Sequence, residues 1–249
     1  MPRAATAALA LVAVGCASIG SYETANTLGE GRYQLAVEPA YEISTGGGNA
    51  ATLVRFDIAA RYGVTDRVDI SARAGSSFLE LGAKFQITDP WDRSVAVSIG
   101  PRLGGFVAPG GAIAGVNATL PILLGFGFGE GNQFVIGPKL LNFLFFDSVD
   151  RPLDVLAAGG TIGFSFKLGD NIRLMPEFGF AAPLVRHTSN SNGDPATTAP
   201  GAGAVYQVGI GLLAGGDRRP RPRTARRQRA VRARERSHRA QLQRRRRCG

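Results

Sequence analysis

The sequence predicts an all-β fold, a transmembrane antiparallel up-and-down β-barrel of about ten strands. Apolar and polar side chains alternate along about ten segments, each close to the length that a tilted strand needs to cross a bilayer. The connectors between these segments alternate between short and long, and a hydrophobic leader precedes the first one. Because successive side chains of a strand lie on opposite faces, each segment has one apolar face and one polar face.

The charge of the chain is divided unevenly along its length. The whole chain of 249 residues has a formal net charge of +10, but residues 217–249 contain fifteen Arg and two acidic residues, a net of +13. Residues 1–216 therefore hold 14 basic and 17 acidic residues, a net of −3. The high pI belongs to the C-terminal tail, and it is no argument that the rest of the chain binds nucleic acid.

Residues 1–16 have the layout of a secretion signal. Arg3 precedes an apolar run from Ala4 to Val14, and Gly15 and Cys16 follow it. Cys248 lies at the other end of the chain, outside the repeating region, so no disulfide between the two cysteines is expected. The leader predicts export from the cytoplasm.

The end of the leader, residues 12–16, resembles a bacterial lipobox, although Ala13 stands where Leu is usual. The resemblance implies that Cys16 becomes a lipidated first residue, and Ala17 after it implies sorting to the outer membrane. The alternative is an ordinary cleaved signal with an incidental Cys. Residues 17–30 are expected to form an N-terminal linker in the periplasm.

The first half of the predicted barrel contains five strands. The second of them shows the alternation most clearly, since Val54, Phe56 and Ile58 alternate with Arg55 and Asp57. The five strands cover residues 31–43, 52–63, 67–74, 78–87 and 94–104. Their apolar faces include, in order, Val37, Phe56, Ile70, Leu81 and Val97, and their polar faces include Glu38, Asp57, Asp69, Glu80 and Ser98.

The second half contains five more strands with the same alternation and with more glycine on the polar face. They cover residues 112–128, 132–141, 155–168, 171–182 and 203–214. Their apolar faces include Leu120, Ile136, Phe164, Phe178 and Val208, and their polar faces include Asn117, Lys139, Ser165, Glu177 and Gln207.

The connectors fall into two classes that alternate along the chain. Residues 64–66, 89–92, 129–131 and 169–170 are tight turns, whereas residues 44–51, 105–111, 142–154 and 185–202 are longer. Only residues 75–77 break the alternation, being short where a long connector is expected. Short turns at one rim and longer loops at the other are typical of outer-membrane barrels.

Residues 61–69, Arg-Tyr-Gly-Val-Thr-Asp-Arg-Val-Asp, resemble the periplasmic hairpins of small bacterial outer-membrane β-barrel proteins. The resemblance extends over residues 31–214 and concerns the architecture. It implies a location in the bacterial outer membrane, lipid as the surrounding partner, a monomer, and a structural or small-solute permeation role. A soluble periplasmic lipoprotein with an apolar-ligand calyx is the alternative, and it would carry its charges outside.

If lipid lies outside, the charged face of every strand lines the lumen. The predicted lumen charges are Arg55, Arg61, Arg73, Lys84, Arg102, Lys139, Lys167 and Arg173, with Glu38, Glu42, Asp57, Asp69, Glu80 and Glu177. Charges withdrawn from water need partners, so an ion-pair network filling a narrow bore is expected. The alternative is a small pore with a slight anion preference from the two extra cations.

No catalytic, cofactor or metal motif is found, and no cofactor is expected. The one His before the tail, His187, lies in the longest loop near Ser189, Ser191 and Asp194, which leaves an enzyme acting on lipid or peptide at the outer rim as an alternative. We expect these residues to be a solvated loop without catalytic function. The apolar residues 142–146 are expected either to lengthen a strand into the aromatic girdle or to contact lipid or a partner.

Residues 215–249 are expected to be a disordered Arg-rich tail, because like charges repel and apolar content is low. Binding to anionic lipid or a cell-wall polymer is the functional hypothesis, and nucleic acid is not an expected partner because it lies in the wrong compartment. The alternative is a shifted reading frame, since the tail contains Arg but no Lys.

Overall fold

The structure, a computed structural model, describes residues 19–46, 49–92, 94–107, 113–147, 153–188, 197–200 and 203–215. Twelve strands cover most of these residues. They are β1 (Tyr33–Gly46), β2 (Asn49–Gly63), β3 (Val68–Ala74), β4 (Phe78–Gln86), β5 (Val95–Ile99), β6 (Arg102–Val107), β7 (Ile113–Phe128), β8 (Asn132–Asp147), β9 (Leu153–Lys167), β10 (Ile172–Thr188), β11 (Thr197–Pro200) and β12 (Ala204–Gly215).

The strands form one closed antiparallel sheet. Strands that are consecutive along the chain pair with each other except at β5/β6 and β11/β12, and β12 closes the barrel by pairing with both β10 and β1. β5 and β6 together occupy one position between β4 and β7, and β11 pairs with the far end of β10 beyond the part that β12 pairs with. The barrel therefore has ten strand positions, which confirms the predicted fold class.

The predicted fifth strand, residues 94–104, is interrupted between β5 and β6. Proline has no backbone N–H to donate to a ladder, and Pro101 lies at the interruption. The carbonyl of Pro101 still accepts from Ala83 N at 3.0 Å, and Gly100 N donates to the carbonyl of Pro121 at 3.0 Å. The neighbouring strands therefore remain connected across the break.

Along the described strands that cross the bilayer, the large apolar side chains alternate with the lumen residues and point outward. On β2, Val54, Phe56 and Ile58 are 78%, 58% and 54% exposed, while the alternate Arg55 and Asp57 are buried inside. A closed ladder satisfies all backbone polar groups, and an apolar exterior is stable only against hydrocarbon. The chain is a transmembrane β-barrel of the bacterial outer membrane, and a soluble calyx would need the opposite arrangement. Among the described residues, no helix is long and apolar enough to cross a bilayer.

Aromatic side chains form a belt on the outside of the barrel near one rim. Phe134 and Phe164 lie 4.8 Å apart between ring centroids, and Phe126, Phe128 and Phe166 continue the belt. This rim carries the connectors 129–131 and 168–171, which are tight turns. A girdle of aromatic residues at the level of the lipid headgroups is typical of outer-membrane barrels, and the short turns mark this rim as periplasmic.

At the opposite rim several strands are longer than the sequence predicts. β8 continues to Asp147 and β10 to Thr188, so much of the loops expected at 142–154 and 185–202 is paired strand. The extension of β8 is one of the two outcomes that the sequence left open for residues 142–146, and periodicity does not assign their faces because both faces are apolar. Leu141, Phe143 and Phe145 point into the barrel, while Phe146 is exposed outside.

Residues 19–28 lie inside the barrel. Ile19, Tyr22 and Ala25 are fully buried, and Gly31 N donates to the carbonyl of Gly63 at 2.8 Å where the chain enters β1 at the periplasmic rim. The expected periplasmic linker at 17–30 therefore runs through the lumen from residue 19 to residue 28, and Glu30 is exposed. We call residues 19–28 the plug.

Candidate functional site

The interior of the barrel is the candidate site, and its wall has two chemically distinct halves. The charged wall consists of β1, β2, β3, β4 and β6, which carry most of the buried acidic and basic side chains. The acceptor wall consists of β7, β8, β9, β10 and β12, whose inward side chains include amides, hydroxyls and glycine beside apolar residues such as Leu123, Val135, Met175 and Leu213. The plug lies between the two walls.

Ten ion pairs connect eleven side chains into one continuous network. All of its members except Glu23, which belongs to the plug, come from the charged wall. In order of contact they are Glu42, Arg55, Asp57, Arg73, Glu38, Arg61 and Glu23, from which one branch leads to Lys84 and Asp69 and another to Arg102 and Glu80. Such a network satisfies charges that would otherwise be costly to bury.

Glu23 joins the plug to the charged wall. Its carboxylate lies 3.3 Å from Lys84 Nζ and 3.8 Å from Arg61 Nε, and it also pairs with Arg102 Nη2. These three cations come from β4, β2 and β6. Glu23 is the only carboxylate among the described residues that pairs with three cations, and the carboxylates of the charged wall have one or two each.

The acceptor wall binds the backbone of the plug. Glu177 accepts from Ser21 N at 2.6 Å and from Tyr22 N at 2.9 Å, and Gln207 Oε1 accepts from the amides of residues 19 and 20 at 3.2 Å. Gln133 Oε1 accepts from Ala25 N at 2.9 Å. Near the periplasmic rim, the side chains of Gln86 and Asp69 accept from the amides of residues 27 and 28. Side chains of the wall thus satisfy seven consecutive or near-consecutive N–H groups of a segment that has no regular structure.

Wall cations bind the carbonyl groups of the same segment. Arg73 Nη1 donates to the carbonyl of Gly20 at 2.7 Å, and Lys84 Nζ donates to the carbonyls of Thr24 and Asn26 at 3.0 and 2.9 Å. Lys139 Nζ donates to the carbonyl of Ile19. The plug is therefore held largely through its backbone by side chains of both walls, and the side chains of Ser21, Tyr22, Glu23, Asn26 and Thr27 add further contacts.

Tyr22 is the largest side chain of the plug, and glycines of β12 make room for it. A Cβ at Gly209 would lie 2.0 Å from Tyr22 Oη and one at Gly211 would lie 3.1 Å from the ring, so a larger residue at Gly209 cannot coexist with the plug. Gln207 Nε2 donates to Tyr22 Oη at 3.2 Å, and the guanidinium of Arg73 lies 5.7 Å from the ring centroid. Tyr22 has a φ of +42°, a left-handed conformation that its surroundings must stabilise.

An apolar cluster fills the lumen on the side of the long-loop rim. It contains Phe78, Phe106, Leu141, Phe143, Phe145, Val155, Ala157, Ala181 and Val205 from the wall, together with Ile19 from the plug. We call this cluster the apolar cap. The guanidinium of Arg55 lies 4.9 Å from the ring centroid of Phe78, so the cap rests directly on the ion-pair network.

The structure places most of the predicted lumen charges inside the barrel. Thirteen of the fourteen lie in the interior: Glu38, Glu42, Arg55, Asp57, Arg61, Asp69, Arg73, Glu80, Lys84, Arg102, Lys139, Arg173 and Glu177. Lys167 does not. Its side chain is 34% exposed at the end of β9 and pairs with the exposed Asp170, because the strand reaches the periplasmic turn at that point.

The charge balance of the lumen differs from the prediction for two reasons. Lys167 leaves the set and Glu23 joins it, so the interior of the described barrel holds seven cations and seven carboxylates. The two extra cations that the sequence suggested are absent while the plug is in place. The sequence does not reveal the role of Glu23, because the plug has no strand periodicity. The signal that was available is the set of inward glycines on the acceptor wall, which leave room for a packed segment: Gly125, Gly179, Gly209 and Gly211.

A cavity of about 270 Å³ opens at the periplasmic end of the barrel. Its lining includes Thr24 and Asn26 of the plug, Asn132 and Gln133 of β8, and Arg173 of β10. Arg173 Nη1 donates to Ser165 Oγ at 3.0 Å. The cavity leads from the periplasm to the lower half of the plug.

His187, the candidate for catalysis, lies on β10 at the long-loop rim. It is paired in register with Asp154 of β9, whose carboxylate accepts from Asn142 Nδ2 at 2.7 Å. Ser189, Ser191 and Asp194 lie outside the described residues, as do Cys16 and residues 216–249. Within the described part of the chain, no group of three His, Cys, Asp or Glu side chains could hold a metal ion.

Several solved outer-membrane barrels are similar to this chain. An outer-membrane channel of Pseudomonas putida F1 has 9% identity, with 80% of this chain and 100% of that chain covered and a TM-score of 0.45. OprG of Pseudomonas aeruginosa has 10% identity, 77% and 99% coverage and a TM-score of 0.36. The outer-membrane protease OmpT of Escherichia coli has 9% identity, 74% and 95% coverage and a TM-score of 0.34. No family model and no curated protein matches the sequence.

Proposed function

We propose that the protein is a small-solute channel of the outer membrane whose lumen is closed by the plug. The observation that supports this proposal is the way in which residues 19–28 are held. They pass through the lumen between two polar walls and contact those walls almost entirely through wall side chains. The barrel closes on itself through β1 and β12 without them.

The plug is separable from the barrel for a physical reason. Within the described chain, the hydrogen bonds of the barrel ladder are made between strands, and the plug adds none to that ladder. Its withdrawal would leave the charged and amide side chains of the walls to be solvated by water, beside apolar side chains such as Leu123 and Met175, and a polar lining is the condition for a water-filled path. A closing element that was part of the sheet could leave only by breaking the barrel.

The apolar cap is compatible with such a path because the plug contributes to it. Ile19 is fully buried in the cap and is the member that does not come from the wall. When the plug withdraws, the cap loses Ile19 and keeps the aromatic contacts of Phe145 with Phe106 and Phe143. We propose that the cap loosens together with the plug.

Conductance in planar bilayers tests the proposal. The refolded chain should be silent or nearly so, and the chain lacking residues 19–28 should conduct. A chain shortened by residues 219–249 instead should stay silent, and it controls for the loss of a terminal segment. Heat-modifiable gel mobility shows that each variant still forms a barrel.

Silence of the plug-deleted barrel, with its heat-modifiable mobility retained, would contradict the channel and favour a purely structural role. A full-length chain carrying Tyr22→Ala and Glu23→Gln provides a second route to the same answer. It keeps the length of the chain and weakens only the side-chain contacts of the plug. Conductance in both variants but not in the tail-deleted chain supports the proposal.

The parts of the chain outside the described residues keep the roles that the sequence predicts for them, as proposals. We propose that residues 1–16 direct export, that Cys16 is lipidated, and that the Arg-rich tail from residue 215 onward binds anionic lipid or cell-wall polymer. We also propose that the barrel acts as a monomer and without catalysis. A hydrolase activity of the protein that is lost in His187→Ala, the variant without the candidate base, would contradict this last proposal.

A further inference from the structure

The three cations around Glu23 form a compact positive site in the wall. Arg61, Lys84 and Arg102 come from three different strands, and their side chains are 4%, 5% and 9% exposed. They meet at a carboxylate that belongs to the plug and not to the wall. These three side chains of the wall therefore form a site that is occupied by the carboxylate of Glu23, a residue of the plug.

The three cations keep their positions without Glu23, because each has a second partner on the wall. Arg61 Nη2 lies 3.0 Å from Glu38, Lys84 Nζ lies 3.3 Å from Asp69, and Arg102 Nη1 lies 3.4 Å from Glu80. These wall carboxylates orient the cations from behind. Donors that are already oriented bind an anion with a smaller loss of side-chain entropy.

Removal of the plug also gives the neutral lumen a net positive charge. Of the seven carboxylates in the interior, Glu23 is the one that leaves, so seven cations then face six carboxylates. The excess of one positive charge lies where the three cations converge. Rings of basic side chains favour anions in pores.

We propose that Arg61, Lys84 and Arg102 form a binding site for small organic carboxylates, and that Glu23 occupies this site when the channel is closed. The proposal rests on the proposed function, since a solute reaches the site only when the plug is out. The carboxylate of the solute and that of Glu23 exclude each other. A carboxylate solute therefore stabilises the open form and promotes its own passage.

The test uses succinate as the probe and the two open forms described above, the plug-deleted barrel and the full-length Tyr22→Ala, Glu23→Gln chain. Chloride should be more permeant than potassium, as shown by the reversal potential in a KCl gradient. Succinate should reduce the chloride current, because it binds in the path. The concentration for half-block should rise about tenfold with either Lys84→Gln or Arg102→Gln, as expected for the loss of one charge-assisted contact.

Arg173→Gln is the matched control, because it removes one buried lumen cation that donates to Ser165 and lies on β10 of the acceptor wall, opposite the wall of Arg61, Lys84 and Arg102. It should lower the chloride preference as much as Lys84→Gln does, but leave the half-blocking concentration of succinate unchanged. An equal loss of block in Arg173→Gln would show that net charge alone acts, and would overturn the site. Open barrels that conduct but are not blocked by succinate would also overturn the site. Silent barrels would instead contradict the proposed function.

Discussion

Glu23→Gln is the substitution that most directly tests how the plug is held. Glu23 is the only plug side chain that pairs with cations of the charged wall, and the substitution preserves its size and its capacity to accept a hydrogen bond. The substitution changes no residue of the β-sheet. A change in the plug should therefore occur without a change in the stability of the sheet.

The magnitude follows from the ion pairs that the substitution breaks. Removing one partner of a buried ion pair costs about 3–5 kcal/mol. We take the lower end, about 3 kcal/mol, because Arg61, Lys84 and Arg102 each keep a carboxylate of the wall. At about 1.4 kcal/mol per factor of ten, the ratio of released to inserted plug should rise roughly 100- to 200-fold.

The assay is thiol labelling at Ser21, which is buried and is replaced by a Cys of nearly the same size. The chain starts at residue 17 and carries Cys248→Ser, so that Ser21→Cys supplies the single thiol. When reinsertion is faster than labelling, the rate of maleimide reaction reports the released fraction. Glu30→Gln is the matched control, because Glu30 is exposed beyond the plug. If Glu23→Gln and Glu30→Gln label at the same rate, the three ion pairs do not hold the plug and the reasoning is refuted.

Three further predictions concern the rest of the molecule. Phe143→Ala should destabilise the barrel to urea by about 3–5 kcal/mol because it empties the apolar cap, whereas Phe146→Ala, on the lipid side, should cost clearly less; equal losses would argue against a packed cap. Phe56→Arg, in the middle of the outward face of β2, should cost about 2–4 kcal/mol in unfolding from lipid vesicles, and no cost would contradict the lipid-facing assignment. Mass spectrometry of the mature N-terminal peptide should find acyl chains on Cys16, and an unmodified peptide starting elsewhere would show an ordinary signal.

The fold was predictable because the property that defines it repeats locally. Alternation along residues 54–62 assigns each side chain to a face, and ten such segments define a barrel once hydrocarbon is identified as the outer solvent. The same parity placed Glu38, Arg73 and Glu177 inside, where the structure has them. The prediction for Lys167 was wrong because parity states a direction and does not state whether the residue has reached the rim.

The plug could not be predicted in this way, because its residues have no period and form no regular structure. Ser21, Glu23 and Asn26 are the polar residues that a solvated linker contains, and only the acceptors on distant strands distinguish the two cases. Ser21 N bonds to Glu177, which is 156 residues away along the chain. The apolar residues 141–146 were ambiguous for a related reason, since both of their faces are apolar and only the closed barrel separates the lipid side from the cap.

The sequence by itself determined the architecture of this protein, the face that meets lipid and the inventory of charges available to the lumen. Those properties follow from backbone geometry and from the cost of exposing apolar groups to water or polar groups to hydrocarbon, and both act at each residue separately. The tertiary structure alone decided that residues 19–28 occupy the lumen, that Glu23 balances its charge, and that the mouth is closed by an apolar cap. Each of these depends on which side chains meet across the barrel, and contacts between residues far apart in the chain leave no local pattern.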